Sequence, residues 1–511
     1  MNITVHFKGQ RIGPDEFHSR VMRSVAVLEA HGVGKSGGVG SPPDVVALML
    51  TNSPEALELA LAVRHLGAQW CPINWHFKAE EVSFILNNSG ARWWVVHRPI
   101  WQALQLTAAQ LPAGITVVCV DADGSPPAGG SPSWQVLRDA VLPSPTLAQP
   151  PRGAMFYTSG TTGQPKGIQR AASTPEQAEA GRQVSRTCMG LVPGMRALVN
   201  APLYHSAPNG YSLMTALEGG NLWIEERFDA ERTLQLIHEH RITHAYLVPT
   251  MYVRMLRLPE DVKVRYDLSS MRFVSSTGSP CPPAVKKAMI DWWGPVIYES
   301  YGASELGYMT LLTPQDALRK PGSAGRPLSG TRFEIRSKEG ALQPPGQAGL
   351  IYAHNPAYSD FSYVGNDAAR RKMDLGGLKT LGDVGYLDED GFLFIVDRSA
   401  DMVIRGGVNI YPAEIEACLQ LMPGVVDCAV FGIPDEEFGE GLACAVQLRA
   451  DWPAEKAVTA EVVQSYLRAH LASFKVPQVV SFHAELPRED TGKIFKRKLR
   501  EPYWAGRERR I

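Results

Sequence analysis

The apolar positions change period along the chain, and the change sorts its segments. Val45–Leu50 is a continuous apolar run, the pattern of a buried strand. Asn52-Ser53-Pro54 then reads as a helix start, with Ser53 as the cap and Pro54 in the first turn. Across Glu55–Leu66 the residues Leu57, Leu59, Ala60 and Val63 gather on one side, as a helix requires. Gln69–Pro72 predicts a short strand, Ala79–Leu86 a helix and Trp93–Val96 another strand. The rhythm returns at Ala230–His238, a helix, and at His244–Val248, a strand stopped by Pro249. Strands alternating with helices predict a mostly parallel sheet covered by helices.

Farther on the pattern shifts. Thr331–Ile335, the turn Lys338-Glu339-Gly340 and Gly349–Ala353 predict antiparallel β structure. After Asp397-Arg398-Ser399 come a helix at Glu414–Leu421, strands at Val425–Phe431 and Ala443–Leu448, and an amphipathic helix at Thr459–Leu471 with Thr459 as cap. This is an α+β module of small-domain size. The expected architecture is a large N-terminal α/β domain, residues 1–397, with a β-rich lobe. A small mobile α+β lid, residues 398–511, follows it, with a hinge near 398–401. Gly34–Pro43 and Gly124–Ser133 are Gly/Ser/Pro-rich loops.

Composition narrows the function classes. With 44% hydrophobic and 20% charged residues, the 511-residue chain is a core-forming protein and not a disordered one. Fifty-one basic against fifty-two acidic side chains leave a formal charge of −1, without the basic surplus of a nucleic-acid coat. No nucleic-acid partner is expected, and the basic run Lys496-Arg497-Lys498 reads as surface. The opening MNITVHFKGQ has no apolar run of signal-peptide length, and no stretch is long and apolar enough for an integral membrane segment. Seven scattered cysteines without a CxxC pair suggest neither zinc nor disulfides, and a cytoplasmic location is expected.

The most informative segment is Tyr157-Thr-Ser-Gly-Thr-Thr-Gly-Gln-Pro-Lys-Gly167. Gly160, Gly163 and Gly167 let the backbone turn tightly and present N–H groups to a phosphate. Thr158, Ser159, Thr161 and Thr162 add hydroxyl donors, and Lys166 adds charge. It is not a Walker A loop, because Pro165 precedes the lysine and Gly167 follows it. The segment resembles the phosphate loop of the adenylate-forming superfamily: acyl-CoA synthetases, peptide-synthetase adenylation domains and firefly-type luciferases. Further motifs resemble that family in the expected order. They are Pro202-Leu-Tyr-His205, Ser276-Thr-Gly-Ser-Pro280, Tyr301-Gly-Ala-Ser-Glu305, Gly382-Asp383 with Arg398, Gly406-Gly407 through Glu414, and Thr491-Gly492-Lys493. The match runs nearly the length of the chain.

The resemblance implies roles. ATP and AMP would meet the phosphate loop, the adenine-side residues Thr277, Gly278 and Ser279, and the stretch Ser300, Tyr301, Gly302, Ala303 and Ser304. The ribose would meet Asp383, with Arg398 close by. Thr158 and Glu305 would lie near Mg²⁺, an ion that takes hard oxygen ligands. Lys493 would reach the α-phosphate from the mobile domain, and His205 would gate or orient beside the acyl pocket. That pocket would draw on Tyr204, His205, Asn209, Tyr211, Val248, Met251, Ser276 and Tyr308. Gly406 and Gly407 would let the pantetheine of coenzyme A pass close to backbone.

The family's pattern is not followed everywhere. Leu381 stands where a threonine is usual, Asp397 replaces a common glycine, Ala400 replaces a charged hinge residue, and Asn355–Val364 fits poorly. The expected function is that of an ATP-dependent acyl-CoA ligase for a hydrophobic carboxylic acid (fatty, aryl or polycyclic), working as a monomer or homodimer. An α-amino acid is disfavoured, because the pocket residues offer no acidic partner for an amino group. The rivals are a ligase handing acyl-AMP to a carrier protein and an inactive nucleotide-binding scaffold.

Overall fold

Short continuous apolar runs become central strands, and the amphipathic segments between them become the helices that return the chain. The computed structural model describes residues 1–34, 43–121, 131–158, 165–398, 401–405, 408–449, 452–453, 457–488 and 494–505. It divides into two compact units. The first holds residues 1–321, 325–331 and 354–374, and the second holds 322–324, 332–353 and 375–511.

Two parallel sheets dominate the first unit. A four-stranded sheet runs in the order Gln69–Pro72, Val45–Met49, Trp93–His97 and Thr116–Val120, every neighbour parallel. All five residues of Val45–Met49 are buried, which is why that run does not alternate. Ser53 caps the following helix, Pro54–His65, by accepting from the Ala56 N–H, an arrangement that stabilises by about 1 kcal/mol. A seven-stranded sheet has the order Ile297–Glu299, Phe273–Ser276, His244–Leu247, Met195–Val199, Gly220–Ile224, Ile3–Phe7 and Gln10–Ile12. The last pair in that order is antiparallel and every other neighbour is parallel. Parallel neighbours need crossovers, supplied here by helices such as Ser206–Glu218 and Ala230–His240. A small antiparallel sheet joins Phe156–Thr158 to Lys166–Arg170 and then to Phe361–Tyr363.

In the second unit, Leu378–Leu387 pairs antiparallel with Leu393–Arg398 and with the strand that begins at Gly349. A second sheet centres on the hairpin Val425–Asp435 and Gly439–Leu448. The helices Pro412–Leu419 and Ala460–His470 cover it, burying Ile415, Leu419, Val463 and Leu467 against Val430 and Val446. Thr459 caps the second of these helices as expected. Among the described residues no helix is long and apolar enough to cross a membrane.

The basic C-terminal run departs from expectation. Lys496 is not a surface residue: it opens the helix Lys496–Trp504 and its Nζ lies 2.8 Å from Glu416 Oε1. Burial alone would lower its ammonium pKa, but Glu416, Asp397 and Asp401 more than offset this and hold it above the ordinary lysine value. Arg497 does remain on an exposed face, paired with Glu501 one helical turn on.

Candidate functional site

In open parallel sheets, ligands bind beyond the carboxyl ends of the strands. The expected site segments of the first unit sit there. Pro202–His205 follows the strand Met195–Val199, and Val248 and Met251 follow His244–Leu247. Thr277–Ser279 follows Phe273–Ser276, and Ser300–Glu305 follows Ile297–Glu299. The Ser300 N–H donates to the Ser276 carbonyl at 2.9 Å, which joins the last two of these segments. Gly278 has φ +97°, a left-handed conformation that a side chain would strain, and among the described residues beyond its chain neighbours only Val248 Cγ1, at 3.9 Å, comes within 4 Å of a Cβ built there. That leaves the turn open to a close-lying ligand.

The Tyr301–Glu305 segment opens a tight hairpin in which Gly302 pairs with Tyr308 and Ala303 with Gly307. A Cβ at Gly302 would collide with the Gly307 carbonyl, and one at Gly307 with the Tyr358 ring. Arg170 braces this hairpin from the neighbouring small sheet. Its guanidinium donates to the carbonyls of Ser304 (2.9 Å), Glu305 (2.8 Å) and Ser359 (2.8 Å). Burial pulls the Arg170 pKa below the usual arginine range, and Tyr358, Glu305 and Asp360 pull it back up. The Ser206 and Ser304 hydroxyls lie 2.8 Å apart, tying the start of the helix Ser206–Glu218 to the same hairpin.

The arms of the phosphate loop are cross-strand neighbours, with Thr158 opposite Lys166 and Tyr157 opposite Gly167. A Cβ at Gly167 would lie 2.7 Å from the Tyr157 ring, so the close packing of the arms requires glycine. Ser159, Gly160, Thr161, Thr162 and Gly163 lie outside the described residues, as do Ala400, Gly406, Gly407 and Lys493. Lys166 Nζ stands 5.4 Å from the centre of the Tyr363 ring, and the Tyr363 hydroxyl donates to Glu305 Oε1 at 3.1 Å. Burial raises the Tyr363 phenol pKa, and the adjoining Glu305 carboxylate raises it further, so it stays a donor. Tyr363 thus connects the loop lysine to the expected metal carboxylate.

Neither Arg170 nor Tyr363 was singled out by the sequence. Tyr363 falls in Asn355–Val364, the stretch that fits the family pattern poorly, and the structure makes it the outer strand beside the loop. Its alternating Phe361 and Tyr363 is a strand signal in the sequence, but nothing local names the partner strand.

On the acyl side, the Tyr204 and His205 rings lie 4.3 Å apart with their planes tilted by 52°, and Trp75 meets Tyr204 edge-on at 6.3 Å. Asn209 donates to the Leu203 carbonyl at 2.8 Å and accepts from Trp70 Nε1 at 3.3 Å, so its amide holds the turn. Tyr211 and Met251 are buried. In the second unit, Asp383 and Arg398 are cross-strand partners, and Arg398 Nε lies 3.3 Å from Asp383 Oδ1.

Among the described residues no three His, Cys, Asp or Glu side chains cluster to cage a metal. The donors at hand are the Glu305 carboxylate and the Thr158 hydroxyl. These hard oxygens fit Mg²⁺, which keeps few protein ligands and fills its shell from phosphates and water.

A family model described as AMP-binding enzyme matches residues 2–360, and one described as AMP-binding enzyme C-terminal domain matches 414–493. The chain is 33% identical over 487 residues to the long-chain-fatty-acid–CoA ligase FadD13 of Mycobacterium tuberculosis, covering 94% of this chain and 91% of that one. It is 32% identical over 501 residues to a feruloyl-CoA synthase of an Amycolatopsis species, covering 96% and 93%. The amide bond synthetase McbA of Marinactinospora thermotolerans superposes with a TM-score of 0.84 at 26% identity, covering 98% of this chain and 97% of that one.

Proposed function

The chain belongs to the AMP-binding enzyme family and is an AMP-forming acid–CoA ligase, and from that premise we propose that its acid is hydrophobic: fatty, aryl or polycyclic. A carboxylate oxygen attacks the α-phosphorus of ATP and pyrophosphate leaves. The thiolate of coenzyme A then attacks the acyl carbon, AMP leaves, and the thiol proton passes to solvent. The observation that carries this reading is the gathering of the four motif segments beyond adjacent strand ends, with Tyr363 joining Lys166 to Glu305.

Two anions must meet in the first step, so the site has to supply positive charge. Lys166 contributes it at the loop, and Lys493 is proposed to bring a second charge from the domain beyond the 398–401 hinge. Mg²⁺, held by Glu305 and Thr158, would neutralise phosphate charge. Tyr363 holds the Glu305 carboxylate by its hydrogen bond, and Arg170 fixes the backbone beneath it. Asp383 is proposed to accept from the ribose hydroxyls, and Gly406-Gly407 to line the thiol path. The hydrophobic preference is supported by the character of Tyr204, Tyr211, Val248, Met251 and Tyr308. A cytoplasmic monomer or homodimer completes the proposal.

A pyrophosphate-release screen over a panel of carboxylic acids, with coenzyme A present and absent, tests the reading. Release with apolar acids and thioester only in the presence of coenzyme A is expected. Release confined to small charged acids or amino acids would overturn the substrate proposal.

A further inference from the structure

Two buried phenols beside the acyl side of the site are left unanswered. Tyr211, on the helix Ser206–Glu218, has no solvent exposure, and its hydroxyl has no hydrogen-bond partner. Tyr308, at the end of the Glu305 hairpin, likewise has a buried hydroxyl without a partner. Buried polar groups in folded proteins are nearly always paired, and phenylalanine would fill either place without a desolvation penalty. The two residues belong to elements tied together at the Ser206–Ser304 contact of 2.8 Å. From that contact Tyr211 lies about 7.5 Å along its helix, and Tyr308 pairs with Gly302 across the hairpin whose turn holds Ser304. Tyr246 connects them: its ring centre is 5.9 Å from that of Tyr211, and its phenol is one of the groups that act electrostatically on Tyr308.

A saturated chain laid against this wall would leave both hydroxyls buried and unpaired. An unsubstituted ring would stack on the tyrosines but do no better for their hydroxyls. We propose that the acid is a ring-bearing carboxylic acid with a hydrogen-bonding oxygen or nitrogen substituent away from its carboxylate, and that Tyr211 and Tyr308 are the specificity-determining residues that bond it. The inference rests on the acid–CoA ligase reading above and narrows it. A site built to hydrogen-bond a substituent rejects the analogue lacking it far more strongly than an apolar pocket rejects a missing methylene.

The test measures kcat/KM for matched acids: 4-hydroxycinnamic against cinnamic, 3- and 4-hydroxybenzoic against benzoic, and decanoic as the aliphatic reference. The oxygenated member of at least one pair should lead its partner and decanoic acid by about tenfold or more. Tyr211→Phe or Tyr308→Phe should bring that ratio close to unity, a change in discrimination that a purely structural tyrosine would not produce. A preference for decanoic acid or for the unsubstituted members throughout would overturn the inference. So would a ratio unmoved in both phenylalanine variants. If no acid released pyrophosphate, the ligase reading would fail separately. Calorimetric binding of the same pairs would then decide this inference, and equal affinity within every pair would overturn it.

Discussion

Replacing Lys496 by methionine should loosen the second unit, and the loss should depend on pH in a defined direction. The Lys496 and Glu416 side chains are only 18% and 15% exposed, with Nζ 2.8 Å from Oε1. Glu416 Oε1 also accepts the Val430 N–H at 2.6 Å, and the buried Asp397 accepts from the N–H groups of Arg398 at 2.7 Å and Ala413 at 3.1 Å. Asp401 and its partner Arg500, 3.8 Å apart, complete the charged surroundings. Breaking a buried pair from one side costs about 3–5 kcal/mol, and the residual exposure places this one near the lower figure, about 3. For a unit of this size that is a fall in Tm of about 6–12 °C.

In the parent protein the raised lysine pKa contributes stability that is complete below about pH 10 and is lost only above it, so Lys496 adds no slope between pH 5 and 8. Burial raises the pKa values of Glu416 and Asp397, and Lys496 opposes that rise. Without the lysine, their folded values climb further above the unfolded ones, near 4. The folded state then binds more protons than the unfolded state, and stability falls as pH rises through that window. Scanning calorimetry of the full chain at pH 5 and pH 8 should therefore find a small deficit at the lower pH and a large one at the higher. Adding Glu416→Leu to Lys496→Met should recover part of it. An unchanged Tm, or equal deficits at both pH values, would show that Lys496 does not hold Glu416 and Asp397 in their charged forms.

Glu305→Gln should cut acyl-AMP formation by about 10²–10³ while the protein stays folded; undiminished pyrophosphate release would remove Glu305 from the metal site. Arg170→Lys keeps a charge but loses the fork that reaches three carbonyls at once, so kcat for adenylation should fall about tenfold or more. An unaltered kcat with native circular dichroism would show that the hairpin holds itself. Lys493→Ala should abolish acyl-AMP formation, by about 10²–10³ in rate, yet largely spare thioester formation from supplied acyl-AMP. Equal damage to both steps, followed by pyrophosphate release and thiol consumption, would refute that division.

What the sequence disclosed was local. The strand Gln69–Pro72 has its expected bounds, and the helices after Ser53 and Thr459 start where a capping side chain meets a free backbone N–H. Ile3–Phe7 was not legible as an inner strand, because its neighbour Gly220–Ile224 lies more than two hundred residues away and no local period encodes that pairing. Arg170 and Tyr363 escaped notice for the same reason. Their roles depend on the Tyr363–Ile168 register and on a hairpin more than a hundred residues beyond Arg170. A run of three cations has the composition of a surface, whereas Glu416 and Asp397 give Lys496, the first of them, a largely buried place. The phosphate loop stood out through its glycines and hydroxyls, and the other chemistry-bearing motifs through their resemblance to those of the adenylate-forming superfamily.

One polypeptide is expected to carry an acid through an adenylate to a coenzyme A thioester. The most direct measurement incubates the purified full chain with ATP, Mg²⁺, coenzyme A and an accepted acid, and counts AMP, pyrophosphate and thioester by mass spectrometry. The three products should appear in equal amounts, with acyl-AMP building up only when coenzyme A is withheld. Acyl-AMP that persists in the presence of coenzyme A, with no thioester formed, would contradict it.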